Sequence, residues 1–67
     1  MATINVGDRV TVVNFHGEPI PATARLGVGE VRDLWTDCGE RRAYVWWHGA
    51  RMYGGWPVEM LRKVEKR

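Results

Sequence analysis

Between Arg42 and Trp47 the chain alternates strictly: Ala43, Val45 and Trp47 interleave with Arg42, Tyr44 and Trp46. A strand sends successive side chains to opposite faces, whereas a helix would mix the two sets. The odd set carries no charge, so it is expected to face a core. The even set then lies on an outer face, where Tyr44 and Trp46 need cover or a ligand. Three of the four tryptophans and both tyrosines fall between Arg42 and Pro57, around a glycine-containing turn. That stretch reads as a β-hairpin: a third strand to Trp47, a connection His48–Arg51, and a fourth strand Met52–Trp56.

At 67 residues there is room for one domain, residues 1–67. Chains of about this length bury only ~60% of the surface exposed on unfolding, so the core must be small and dense. Tryptophan suits this, each aromatic side chain burying roughly 150–250 Å². The single cysteine, Cys38, rules out an internal disulfide. Cys38, His16 and His48 make a poor metal set, because a structural zinc site wants four ligands and close-spaced pairs. No metal or other cofactor is expected.

The formal charge of +2 is mild, and Lys and Arg are spread along the chain as on a solvated surface. MATINVGDRV contains no basic segment followed by an apolar one, so no signal peptide is read there. No apolar run approaches the ~18 residues of a membrane span. A free cysteine without a targeting signal favours the reducing cytoplasm. The initiator Met and short length fit a complete small reading frame of phage or accessory type.

Taken in order, Gly7-Asp8 reads as a turn and Arg9–Asn14 as the first strand, with Val10 and Val12 alternating with Arg9, Thr11 and Val13. Periodicity then vanishes from Phe15 to Gly27. Gly17, Pro19 and Pro21 mark a long ordered loop docked by Phe15, Ile20 and Leu26, a candidate wall of a binding site. Val28–Trp35 is the second strand, where Gly29 is expected at a bend or bulge, and Thr36–Arg41 a polar turn. Gly54-Gly55 in the fourth strand signals a bulge or a close backbone approach. Pro57–Leu61 reads as one helical turn followed by a short closing strand, Arg62–Glu65. A single helix over Val58–Lys66 is the rival reading.

Four segments together resemble the SH3-like barrel superfamily of small prokaryotic and phage domains. They are Val6-Gly7-Asp8-Arg9-Val10, Gly29-Glu30-Val31, Tyr44-Val45-Trp46-Trp47 and the stretch from Pro57 to Val64. The resemblance implies an all-β, five-stranded barrel with a long first loop and a one-turn helix before the last strand. Such barrels bind peptides, nucleic acids or copies of themselves. In outline the chain is also similar to the plasmid-type (type II) dihydrofolate reductases, which share a Gly-Asp-Arg-Val opening and a Pro-Val-x-x-Leu close. That family carries Val-Gln-Ile-Tyr before the closing proline. Here Met52-Tyr53-Gly54-Gly55-Trp56 stands instead, and the activity is not carried over.

Catalysis is not expected. The chain has no serine, and Cys38 lies between Asp37 and, two residues on, Glu40, whose charges oppose a thiolate. Acid–base work needs two groups brought together in a cleft, and Glu30 and Asp33, with odd spacing on one strand, are expected on opposite faces. Trp47 and one of Trp35 and Trp56 are expected in the core. The candidate partner-binding residues are Tyr44, Trp46, Tyr53 and Trp56, with Phe15 and His16 from the loop and Arg42 and Arg51 beside the aromatics. Trp, Tyr and Arg are the types enriched at interface hot spots. A non-catalytic module for a protein or peptide partner is the first reading. Nucleic-acid binding, with Arg41, Arg42, Arg51 and Lys63 on phosphates, is the alternative. A homo-oligomeric scaffold is the third.

Overall fold

A computed structural model of the chain describes residues 4–14 and 16–64. Five strands follow in order: β1 (Arg9–Val12), β2 (Gly29–Asp37), β3 (Glu40–Trp47), β4 (Met52–Pro57) and β5 (Leu61–Lys63). They form one antiparallel sheet in the order β4-β3-β2-β1-β5. This is the expected small all-β fold. No ladder joins the edge strands β4 and β5 among the described residues, so strand pairing does not itself close a barrel. A 3-10 turn, Val58–Met60, carries the chain between them. The segment is a turn plus strand, with the strand at Leu61–Lys63 in place of the expected Arg62–Glu65, Glu65 lying outside the described residues; the single helix does not form through Val64.

The core follows the pleat. Ala43, Val45 and Trp47 are buried, and they join Ile4, Val10, Val12, Val31 and Leu61 in one cluster. Val13, expected to alternate outward with Thr11, is buried too. It sits past the end of β1, where its N–H donates to the Met60 carbonyl at 2.9 Å.

The β2–β3 hairpin closes through Cys38 and Gly39, with φ of 51° and 81°. Positive φ at both central residues is the turn whose twist matches that of paired strands. The β3–β4 ladder runs from Arg42 opposite Pro57 to Trp47 opposite Met52 without a shift. Gly54-Gly55 is therefore not a bulge. A Cβ on Gly54 would lie 3.1 Å from Trp56 Nε1 and 3.4 Å from Trp47 Nε1, which makes it a close approach of the backbone to two indoles.

Gly29 does not mark the bulge of β2 either. It is buried beneath Trp47, and a Cβ there would run into Val45 Cγ1 and lie 2.6 Å from Trp47 Cε3. The ladder shift falls between Val31 and Asp33, with Arg32 the extra residue. The Leu34 N–H, just past the bulge, donates to Asp33 Oδ1 at 2.9 Å.

The segment from His16 to Gly27 is more regular than its composition indicates. Pro21–Leu26 forms a 3-10 helix with proline at its start. Ile20 before it is extended, as a pre-proline residue should be (φ −102°, ψ 112°). The Thr23 N–H and hydroxyl both donate to the Ile20 carbonyl, at 2.9 and 2.8 Å. The helix end is tied to the β3–β4 turn by Gly49 N–H to Leu26 O (3.0 Å) and His48 N–H to Val28 O (3.2 Å).

Candidate functional site

The outer face of β2, β3 and β4 is built in transverse rows. Glu30, Trp46 and Tyr53 make one row, Asp33, Tyr44 and Gly55 the next, and Trp35, Arg42 and Pro57 a third. Within this lattice the Tyr53 ring stacks on Tyr44 at 4.9 Å and 3°. Trp46 leans on the other side of the trio, 4.7 Å from Tyr53 and tilted by 60°. Offset and tilted arrangements at such separations suit the ring quadrupoles. Tyr44 and Tyr53 keep 40% and 45% of their surface exposed, and Trp46 is half-buried. The indole of Trp46 is thus not enclosed by its own chain.

Of the expected site residues, Tyr44, Trp46 and Tyr53 converge on this face, and Arg42 lies on it with its guanidinium 3.7 Å from Glu40. Trp56 does not join them. It pairs with Ala43, shares the inner parity, and meets Trp47 edge-to-face at 6.0 Å and 79°. The Trp47 indole N–H is buried with no acceptor among the described residues. Arg51 sits in the β3–β4 turn at φ 55°. His16 is exposed in a separate turn, its N–H donating to Asn14 Oδ1 at 2.8 Å. Phe15 lies outside the described residues.

Trp35 is the aromatic that sequence reasoning did not place on the face. The bulge at Arg32 shifts the pleat, so that Leu34 rather than Trp35 takes the inner position opposite Ala43. Trp35, 40% exposed, reaches across β3 until its Cη2 is 3.5 Å from the position of a Cβ on Gly55. A methyl group at Gly55 would make ordinary contact with that indole. The same shift corrects the expected separation of Glu30 and Asp33. They stand opposite Trp46 and Tyr44 respectively, and so on one face.

Charge on this face differs from that of the chain. On β2 and β3, Glu30, Asp33, Asp37 and Glu40 share its parity, against Arg32 and Arg42; four carboxylates and two guanidiniums give −2, or −1 with Arg9 of β1, which is paired opposite Glu30, while the whole chain is +2. Arg32 pairs with Glu30 at 3.1 Å. Of the cations considered for phosphate, only Arg42 lies on this face among the described residues. Arg41 has the inner parity, opposite Thr36, Arg51 is in the turn, and Lys63 on β5 lies 3.6 Å from Asp8.

The loop does wall a groove, but a separate one. An apolar groove of about 360 Å³ runs between the 3-10 helix and β1, lined by Val12, Pro19, Ile20, Ala24, Val28 and Arg62 among others. None of Tyr44, Trp46 and Tyr53 lines it. Cys38 is a free, exposed thiol at the far hairpin tip. Among the described residues no group of three His, Cys, Asp or Glu side chains is placed to hold a metal ion, and no helix is long and apolar enough to cross a membrane.

Fold and site together define a small antiparallel β-sheet protein with an aromatic, acid-flanked outer face. No protein-family model, curated protein or solved structure matches the chain.

Proposed function

We propose that this protein is a non-catalytic interaction module of SH3-like type that binds a protein or peptide partner through the outer face of β3 and β4. The observation that carries this reading is the contact trio of Tyr44, Trp46 and Tyr53, rings packed on one another yet open to solvent. Packed aromatics hold each other in place, so little side-chain entropy is lost on binding. Contiguous exposed apolar area of this kind marks interaction surfaces. The five-stranded antiparallel order and the single 3-10 turn before β5 support the architectural part of the proposal. The placing of Arg41 on the inner parity and of Lys63 on β5, beside Asp8, favours a protein partner over a nucleic acid.

The test is affinity capture from the native host with the wild-type chain and Trp46→Ala. Retention of a defined partner by wild type and its loss from a folded Trp46→Ala protein is the expected result. The proposal falls if Trp46→Ala retains the same partner, or if that substitution unfolds the chain.

A further inference from the structure

We infer that the partner presents a cationic segment, with arginine or lysine side chains laid over the Trp46–Tyr53–Tyr44 rings and their charges directed at the β2 carboxylates. This rests on the reading of that face as an interaction surface and adds its chemistry.

In each of the two aromatic rows the β2 residue is a carboxylate: Glu30 beside Trp46, with Arg9 of β1 beyond it, and Asp33 beside Tyr44. A cation resting on either ring therefore has an acid as its lateral neighbour. Aromatic faces attract cations through their quadrupole, and a carboxylate next to the ring adds a Coulomb attraction of the same sign. An anionic partner meets the opposite situation, since the ring faces and the flanking acids both repel it.

The charges are also unevenly satisfied. Glu30 is paired with Arg32 and Glu40 with Arg42, while Asp33 makes no ion pair among the described residues. Asp33 is exposed, and the bulge is what turns it to this side. Oδ1 accepts the Leu34 N–H, which fixes the carboxylate beside the Tyr44 ring. The face carries −2 across β2–β4, or −1 with Arg9 beside Glu30, on a chain of +2, so its charge is a local arrangement and not a reflection of composition. Complementary potentials of this kind set partner choice.

The experiment follows the indole N–H resonances of the full chain by NMR during titration with three probes. One is a seven-residue Gly/Ser peptide carrying three arginines; its counterparts carry three glutamines or three glutamates. The arginine peptide is expected to shift the Trp46 and Trp35 indoles, more strongly at low salt. The other two are expected to leave them unmoved. Asp33→Asn combined with Glu30→Gln should weaken the arginine peptide about tenfold. The asparagine retains the oxygen that accepts from Leu34. Glu59→Gln, in the 3-10 turn before β5, should leave affinity unchanged.

Equal binding of the glutamine or glutamate peptide overturns the inference, as does an arginine peptide that moves neither indole. Full affinity in the Asp33→Asn, Glu30→Gln protein, or a single-stranded oligonucleotide shifting Trp46, overturns it too. A host partner lost with Trp46→Ala but indifferent to the two acid substitutions would remove the cation and leave the interaction face standing. A host partner retained by Trp46→Ala would remove both.

Discussion

Trp46 and Tyr53 face each other directly across the β3–β4 ladder, with ring centroids 4.7 Å apart and planes at 60°. Directly opposed residues are the closest side-chain neighbours a sheet provides. This pair makes the outer face one surface, because Tyr53 also stacks on Tyr44 one row away. A double-mutant cycle of Trp46→Ala and Tyr53→Ala should give a coupling of about 0.5–1.5 kcal/mol. Additive effects in urea denaturation would show that the rings touch without stabilising one another.

The two adjacent tryptophans should respond very differently to truncation. Trp47 is 1% exposed at the centre of the core, and Trp47→Ala should cost about 3–5 kcal/mol or prevent folding. Trp46→Ala removes a half-buried ring from the outside and should leave a folded chain with a lower denaturation midpoint. Equal losses for the two would mean that the pleat does not separate core from surface.

Gly29 and Gly55 lie on the inner and outer faces of the sheet, and the same substitution tests each. Gly29→Ala drives a methyl group into Val45 and Trp47 and should destabilise by about 1–3 kcal/mol through overpacking. Gly55→Ala places its methyl in ordinary contact with Trp35 and should stay within about 0.5 kcal/mol of wild type. Thermal denaturation of both variants checks the contrast; a tolerant Gly29 would contradict the packing of Trp47 over it.

Cys38 holds a positive φ that asparagine adopts more readily. Cys38→Asn should therefore stabilise the β2–β3 hairpin by several tenths of a kcal/mol, up to about 1, and remove the exposed thiol. A lower unfolding midpoint would refute the turn assignment.

Much of this arrangement is legible in the residues themselves. Alternation over Arg42–Trp47 separates a charge-free inner set from an outer aromatic set. The pleat permits no other sorting while β3 stays regular, so Tyr44 and Trp46 had to face outward. Proline at 57 and apolar residues after it likewise announce the turn before β5. By contrast, the short repeats of glycine and proline between Gly17 and Gly27 concealed a 3-10 helix. Its i to i+3 bonds leave no hydrophobic period long enough to read.

What the linear chain alone determined is parity within an unbroken strand, because backbone geometry enforces it locally. What only the tertiary structure decided is where parity breaks. One extra residue, Arg32, is accommodated between Val31 and Leu34, both turned toward the core against β3. That insertion sends Trp35 outward, leaves Trp56 as the indole packed on Trp47, and brings Asp33 to the same side as Glu30. A bulge depends on how two strands match in register, and no single segment carries that information.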